Sequence, residues 1–205
     1  MFHTAKTCLS HLKWKRDLLK AIPYIALLGL ILWGSCASYQ SYEGQVFDEK
    51  EPRDWENPAV FQINKEAPRA HFIPFADASR AREDDKWRSS YVQSLNGLWK
   101  FHLAQNPSER PAYFFKNDYD IRDWGEIKVP ANWETEGHDV PIYTNVKYPH
   151  AQTPPTIQKD YNPVGSYKRS FTIPKHWKNR DIILHFGAVS SAMYVWVNEQ
   201  PVGYS

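Results

Sequence analysis

The sequence predicts an all-β protein made of antiparallel sheets packed as a sandwich. Two observations carry this. From Tyr91 onward, apolar and polar residues alternate with a period of two, the pattern of strands that bury one face. The alternating segments are separated by turn formers, drawn from 15 Pro and 9 Gly, and no long helical period follows residue 37. In chain order, Trp99, Phe101 and Leu103 share one side of a strand against Lys100 and His102. Tyr167, Arg169 and Phe171 alternate with Lys168, Ser170 and Thr172, and Ile182, Leu184 and Phe186 with Ile183 and His185. Ala192, Tyr194 and Trp196 alternate with Met193, Val195 and Val197, and a turn at Asn198-Glu199-Gln200-Pro201 leads into Val202-Gly203-Tyr204. Upstream, Arg53 to Arg88 reads as irregular, because Pro58, Pro68 and Pro74 break any helix, and the charged stretch Ala76–Trp87 has room for one short turn.

Composition supports a packed core, with 42% hydrophobic and 15% aromatic residues, and most of the nine Trp are expected inside. The formal charge of +2 comes from 25 Lys/Arg and 23 Asp/Glu. Lys6, Lys13, Lys15, Arg16, Lys20 and Asp17 fall within residues 1–36, which leaves 20 basic and 22 acidic residues, a net of −2. With no basic stripe, nucleic acid is not an expected partner. Residues 1–37 read as an export leader: a basic stretch to Lys20, an apolar run from Ala21 to Trp33, then Gly34-Ser35-Cys36-Ala37. The run is shorter than the roughly 20 residues needed to span a bilayer. Small residues before Cys36 resemble a lipoprotein box, which makes Cys36 a candidate lipid anchor; cleavage after Ala37 is the competing reading. Both cysteines, Cys8 and Cys36, lie in this leader, so no thiol chemistry is expected in the mature chain. Residues 38–52 read as a linker.

The segment Val129–Pro149, VPANWETEGHDVPIYTNVKYP, concentrates the chemistry. Pro130, Pro141 and Pro149 stiffen it, and it mixes Trp133, Tyr143 and Tyr148 with Asn132, Asn145, Asp139 and Thr144. Aromatic faces cover the C–H face of a sugar ring, and amides and carboxylates meet its hydroxyls, so sugar recognition is expected here. Asn145 carries an amide suited to adjacent sugar hydroxyls, although on the residues alone satisfaction of loop backbone groups is the favoured role. Tyr143 is a supporting candidate, and Trp133 is either core or a pocket wall. Glu134 and Glu136 read as solvated loop carboxylates, Asp84, Asp85, Asp118 and Asp120 as surface charges, and His138-Asp139 as a cap on the turn before Pro141. The eight His show no metal-binding spacing, and no catalytic residue is assigned.

These segments resemble the N-terminal domain of the β-galactosidases of glycoside hydrolase family 2. The resemblance runs in order through Arg53-Asp54-Trp55-Glu56-Asn57-Pro58, Ser94-Leu95-Asn96-Gly97-Leu98-Trp99-Lys100-Phe101, Val129–Trp133, Ile142-Tyr143-Thr144-Asn145-Val146-Lys147-Tyr148-Pro149, Asn162-Pro163-Val164-Gly165 with Tyr167, and Phe186–Ala192 with Val197–Tyr204. Glu199 departs from it, standing where a turn glycine is common. The resemblance implies an all-β, galactose-binding-domain-like jelly roll over 91–205, preceded by an irregular extension over 53–90. Such a roll has about eight strands, more than the five or six legible here, so it is expected to continue beyond Ser205. It further implies a retaining β-galactosidase in which Asn145 touches galactose while two glutamates on a later barrel, with Mg²⁺ and Na⁺ as a further candidate, do the chemistry. Expected partners are a β-galactoside and further copies of the chain, and the expected location is the periplasm or the outer membrane. A stand-alone carbohydrate-binding module and a subunit-assembly element are the competing functions.

Overall fold

The computed structural model describes residues 3–7, 53–141 and 150–205. Its regular elements are β1 (His3–Thr7), α1 (Ala78–Glu83), β2 (Gly97–Ala104), β3 (Gly125–Val129), β4 (Val164–Lys168), β5 (Ile182–Phe186), β6 (Tyr194–Val197) and β7 (Gln200–Tyr204). All strand pairings are antiparallel, in an all-β, jelly-roll-like arrangement. β2 lies between β3 and β4 in a three-stranded sheet, β6 and β7 form a hairpin, and β5 carries β1 on its edge. β1 falls within the stretch read as a leader. An unpaired strand edge offers a row of N–H and C=O groups to any extended segment.

β2 buries residues on both of its faces, as a central strand can. Phe101 is buried on one, and on the other Ala104 is buried while Leu98 is exposed. Phe101 stands directly across from Tyr167 on β4, with ring centroids 4.7 Å apart, and Trp99 across from Ile127 on β3. Lys100 and Glu126 face each other across β2 and β3 and form an exposed ion pair of 3.3 Å. β3 is an element that sequence patterning did not predict. Its sequence, GEIKV, buries Ile127 and is otherwise mostly exposed, so its alternation carries one strong apolar signal. β4 is shorter than the alternation predicts. After Lys168 the Arg169 guanidinium donates to Leu95 O at 2.7 Å and Asn96 O at 2.9 Å, and Phe171 lies outside the strand, exposed.

An aromatic cluster joins the three-stranded sheet to the β6–β7 hairpin. Phe115 stacks on Trp196 at 5.2 Å with planes 4° apart, and Phe114 meets Trp196 edge-on at 5.4 Å and Trp124 at 6.0 Å. Lys168 Nζ donates to Phe114 O at 3.0 Å and also to Lys116 O. Glu199 completes the tie from the hairpin turn. Its carboxylate accepts the Asn117 N–H at 2.7 Å and lies 3.8 Å from Lys116 Nζ. Its φ of +69°, after Asn198 at +49°, is the left-handed conformation that favours glycine. The side chain that departs from the family pattern therefore sits in strained backbone and makes two contacts a glycine lacks.

The stretch from Asp54 to Lys65 is irregular, as Pro58 implies, yet it is tied to the last two strands. Ile63 and Tyr204 exchange backbone hydrogen bonds at 2.9 and 3.1 Å, beside Asn64 Nδ2 to Val202 O at 2.6 Å and Lys65 Nζ to Ser205 Oγ at 3.1 Å. The buried Asp54 accepts from Tyr194 Oη at 2.8 Å, and Trp55 meets the same ring edge-on at 6.2 Å. Farther along, α1 starts where Asp77 accepts the Arg80 N–H at 2.9 Å and stops where Asp84 turns left-handed at φ +50°. This is a short turn of the kind expected in Ala76–Trp87, and a 3-10 turn at Lys86–Arg88, capped by Asp85, follows it.

Candidate functional site

A long excursion leaves β3 at Val129 and returns to β4 at Val164. Tyr143 and Asn145, the two substrate-binding candidates, lie within 142–149, outside the described residues. The arms on either side are described.

The outgoing arm is a tight turn on Asn132. Thr135 Oγ1 donates to Asn132 O at 2.8 Å, the His138 N–H donates to Trp133 O at 3.0 Å, and Gly137 takes φ +84°. This turn lays two rings on the core. His138 meets Phe101 edge-on at 4.7 Å, and Trp133 lies 6.4 Å from the same ring. Gly165 of β4 is the floor beneath them. A Cβ placed there would fall 2.8 Å from Trp133 and 2.9 Å from Phe101, closer than carbon atoms pack. Trp133 is thus half-buried and packed on the core beside Phe101 and Gly165. Asp139 caps the turn as expected, accepting the Val140 N–H at 2.8 Å, while the His138 ring packs rather than caps.

On the returning arm, Thr153 and Thr156 close a turn, with the Thr156 N–H donating to Thr153 O at 2.9 Å. Ile157 N–H donates to Glu56 Oε1 at 3.1 Å, and Gln158 Nε2 to Tyr161 O at 3.0 Å. Tyr161 Oη donates to both oxygens of Asp139, at 2.9 and 3.0 Å, and so joins the arms. Sequence reasoning missed Tyr161, Glu56 and Gly165 as contributors. Glu56 and Gly165 stand in family-like motifs, but a motif does not show that one reaches a distant backbone N–H or that the other is a floor for two rings.

Charge around the arms is negative. Burial first, then the Asp139 hydrogen bond and the charges of Asp139 and Glu134, raise the Tyr161 phenol above its ordinary range. Burial and the Glu134 charge raise Tyr167, and burial and the Asp54 charge raise Tyr204. Glu134 is half-buried in its loop and its charge bears on two phenols, whereas Glu136 is exposed. Asp120, paired with Arg122 at 2.6 Å, is a surface charge as expected. Carboxylates of this kind accept hydrogen bonds from hydroxyl groups, as Asp139 does from Tyr161. Among the described residues, no group of three or more His, Cys, Asp or Glu is arranged to hold a metal ion.

The raised phenols set a pH dependence. A folded phenol that holds its proton more tightly than an unfolded one adds stability that is fully present below the free-tyrosine value of about 10. As pH climbs, unfolded tyrosines ionise first, and this stability is lost through the folded pKa values. The denaturation midpoint is therefore expected to be flat to about pH 9.5 and to fall above about pH 10, with less of a fall in Tyr167→Phe. A midpoint insensitive to alkali would contradict the assignment.

Antiparallel strands around an aromatic core, with a long proline-bounded excursion that gathers hydroxyl-accepting groups, define a jelly-roll domain of the kind that carries sugar-recognition loops. Residues 92–205 match the family description "Glycosyl hydrolases family 2, sugar binding domain", and the chain belongs to that family. It is similar to the β-galactosidase of Priestia megaterium, 41% identical over 157 residues, which are 74% of this chain and 15% of that protein. It is also similar to those of Psychromonas ingrahamii, 42% identical over 153 residues (75% of this chain and 14% of that protein), and of Yersinia pestis, 40% identical over 157 residues (75% and 14%). The chain therefore spans about one seventh of the length of these relatives, 14–15%.

Proposed function

We propose that this chain is the N-terminal part of a retaining β-galactosidase that removes terminal β-D-galactose, and that it supplies a substrate-binding loop through Asn145 and Tyr143. The observation that carries the reading is identity of 40–42% over three quarters of the chain to proteins named β-galactosidase. The arms described above add that the residues on either side of 142–149 are tied by hydrogen bonds of their own. In this reading the chain does no bond-breaking itself. Retaining hydrolysis needs two carboxylates about 5–5.5 Å apart across the glycosidic bond. Here Glu134 interacts with phenols and Glu136 is exposed, so neither is assigned that task. The two glutamates, Mg²⁺ and Na⁺ belong in this proposal to the remainder of the enzyme, as the family resemblance implies. Export by residues 1–37 to the periplasm or outer membrane, a lipid anchor at Cys36 and assembly into a homo-oligomer complete the proposal.

Asn145 is the test. Its amide offers two donors and an acceptor to adjacent sugar hydroxyls. In the full-length enzyme, Asn145→Ala is expected to lower kcat/KM for a β-galactoside by roughly 5- to 150-fold, the equivalent of losing about 1–3 kcal/mol of hydrogen bonding. Deoxygenated substrates lacking the hydroxyl it meets should feel the change least. Wild-type kinetics on every sugar, or loss only through unfolding, would make Asn145 a structural residue. The 205-residue chain alone should not hydrolyse an aryl β-galactoside.

A further inference from the structure

Three segments far apart in sequence meet beside β5. The buried Ser89 donates from Oγ to Pro74 O at 2.5 Å, which ties the 3-10 turn at Lys86–Arg88 to the chain before Pro74. His176 Nε2 and Trp177 Nε1 each lie 2.8 Å from Ser90 O, which ties the same turn to the approach to β5. The rings of His71 and His185 then stand 5.4 Å apart. Two cations belong to the same patch. The Arg69 guanidinium lies over Phe72 at 4.3 Å and Lys86 Nζ over Trp87 at 4.6 Å, and neither forms an ion pair with a described residue. An aromatic face holds a cation in place without neutralising it. The nearest carboxylates in sequence are engaged elsewhere: Asp85 accepts the Trp87 N–H at 3.0 Å, and Glu83 pairs with Arg80 and Arg88. Burial first, then the positive charges of His71, Lys86 and Arg69, lower the His185 imidazole below its ordinary value. Like charges gathered in this way repel one another, and an anion seated among them removes that cost. Phe72 and Trp87 remain 59% and 56% exposed, so apolar ring surface is left beside the charge.

We propose that Arg69, His71, Lys86 and His185, with the rings of Phe72 and Trp87, form a carbohydrate site that takes an anionic oligosaccharide, one bearing sulfate or carboxylate groups. Arg69 and Lys86 supply the charge, the imidazoles donate to the acid oxygens, and the rings cover C–H faces of the sugar. The site shares no residue with Val129–Pro149. A nucleic acid fits less well, because the positive charge is local: outside residues 1–36 the chain carries 20 basic and 22 acidic residues. The choice of a saccharide over other anions rests on the reading of this chain as part of a β-galactosidase.

The experiment is calorimetric titration of the full-length enzyme with three probes: a sulfated κ-carrageenan tetrasaccharide, a carboxylated tetragalacturonate and a neutral galactotetraose. One of the anionic probes is expected to bind at least about 10-fold more tightly than the neutral one, with the margin narrowing as salt rises from about 50 to about 500 mM. The tighter of the two identifies the anion. Arg69→Gln and Lys86→Gln are each expected to weaken that binding by about 3- to 10-fold, and Trp87→Ala by a similar factor. All three variants should melt as the wild type does and turn over a small neutral aryl β-galactoside at the wild-type rate. Lys86 should be acetylated readily in the free enzyme and protected by the anionic probe. Equal affinity for all three probes, or anionic binding that survives Arg69→Gln and Lys86→Gln combined, would overturn the proposal. So would a Lys86 already shielded from acetylation without any probe, which would show the patch covered by another part of the enzyme or by a second copy. The two readings fail separately. An enzyme that hydrolyses β-galactosides but binds no anionic probe sinks this site alone, whereas one that binds the anionic probe and hydrolyses no β-galactoside upholds the site and sinks the catalytic reading.

Discussion

Replacing Phe101 by alanine is expected to cost the domain about 3–5 kcal/mol, the usual range for deleting a buried aromatic ring. Phe101 is 2% exposed and sits in the central strand, where its ring touches Tyr167 across the sheet and both His138 and Trp133 of the outgoing arm. Its loss removes the surface on which two elements are seated. Total stability of a domain is only about 5–15 kcal/mol, so the variant should melt far below the wild type or fail to fold. Phe101→Leu, which fills part of the space, should lose less. The measurement is denaturant unfolding of the full-length protein followed by Trp fluorescence, since Trp133 lies against the altered ring. A variant within about 0.5 kcal/mol of wild type, the range of an ordinary surface change, would show that this ring is not the keystone.

Gly165→Val is expected to destabilise by about 3 kcal/mol, at the upper end of overpacking costs. The conflict is steric. A Cβ at this position would stand 2.8 Å from Trp133 and 2.9 Å from Phe101, and both neighbours are rings held by their own contacts. Relief requires Trp133 to lift, and the turn that holds His138 and Asp139 follows Trp133 through the His138 N–H bond to Trp133 O. In the full-length enzyme the substitution should therefore lower the melting temperature and weaken galactoside turnover together. Gly165→Val in a Phe101→Leu background should cost less than in wild type, because the smaller side chain concedes volume. Additive losses would mean that the two positions do not share space.

The alternation that sequence patterning uses matches burial in some strands and not in others, since β6 is half-buried at every position. β5 is the clearest match: Ile182, Leu184 and Phe186 turn inward while Ile183 and His185 are exposed. β3 escaped because Glu126 and Lys128 flank a single buried Ile127, and one apolar residue sets no period. The end of β4 was misjudged because Arg169 and Phe171 continue the alternation, although Arg169 is drawn off by two carbonyls from the turn before β2. At the candidate site, proline spacing and aromatic content marked Val129–Pro149 as important, and the resemblance singled out Asn145. The ties of Tyr161 and Glu56 were not legible, since each depends on a partner brought near by the fold, in one case across 101 residues. Glu199 shows the converse. The sequence marked it as an oddity, and its bond to the Asn117 N–H across 82 residues supplies the physical reason.

The seam between residues 63–65 and β7 has a consequence for the order in which the protein is made. Lys65 and its partner Ser205 are 140 residues apart in sequence. At synthesis rates of about 5–20 residues per second, the partner strand follows the N-terminal stretch by about 7–30 s. Over that interval Ile63 and Lys65 await the backbone and hydroxyl they bond in the finished fold, whereas the β2–β3 pairing closes over a far shorter stretch of chain. Contacts of such long range also carry the largest loop-closure cost, so they form late even in a complete chain. The Asp54–Lys65 stretch thus seats after the β2–β3 pairing, and through Glu56 the returning arm of the excursion gains one of its ties only when that stretch arrives. Pulsed hydrogen exchange during refolding should show Ile63 protected after Phe101, and a nascent chain arrested before β7 should be cleaved by protease near Asp54–Lys65 while β2 resists.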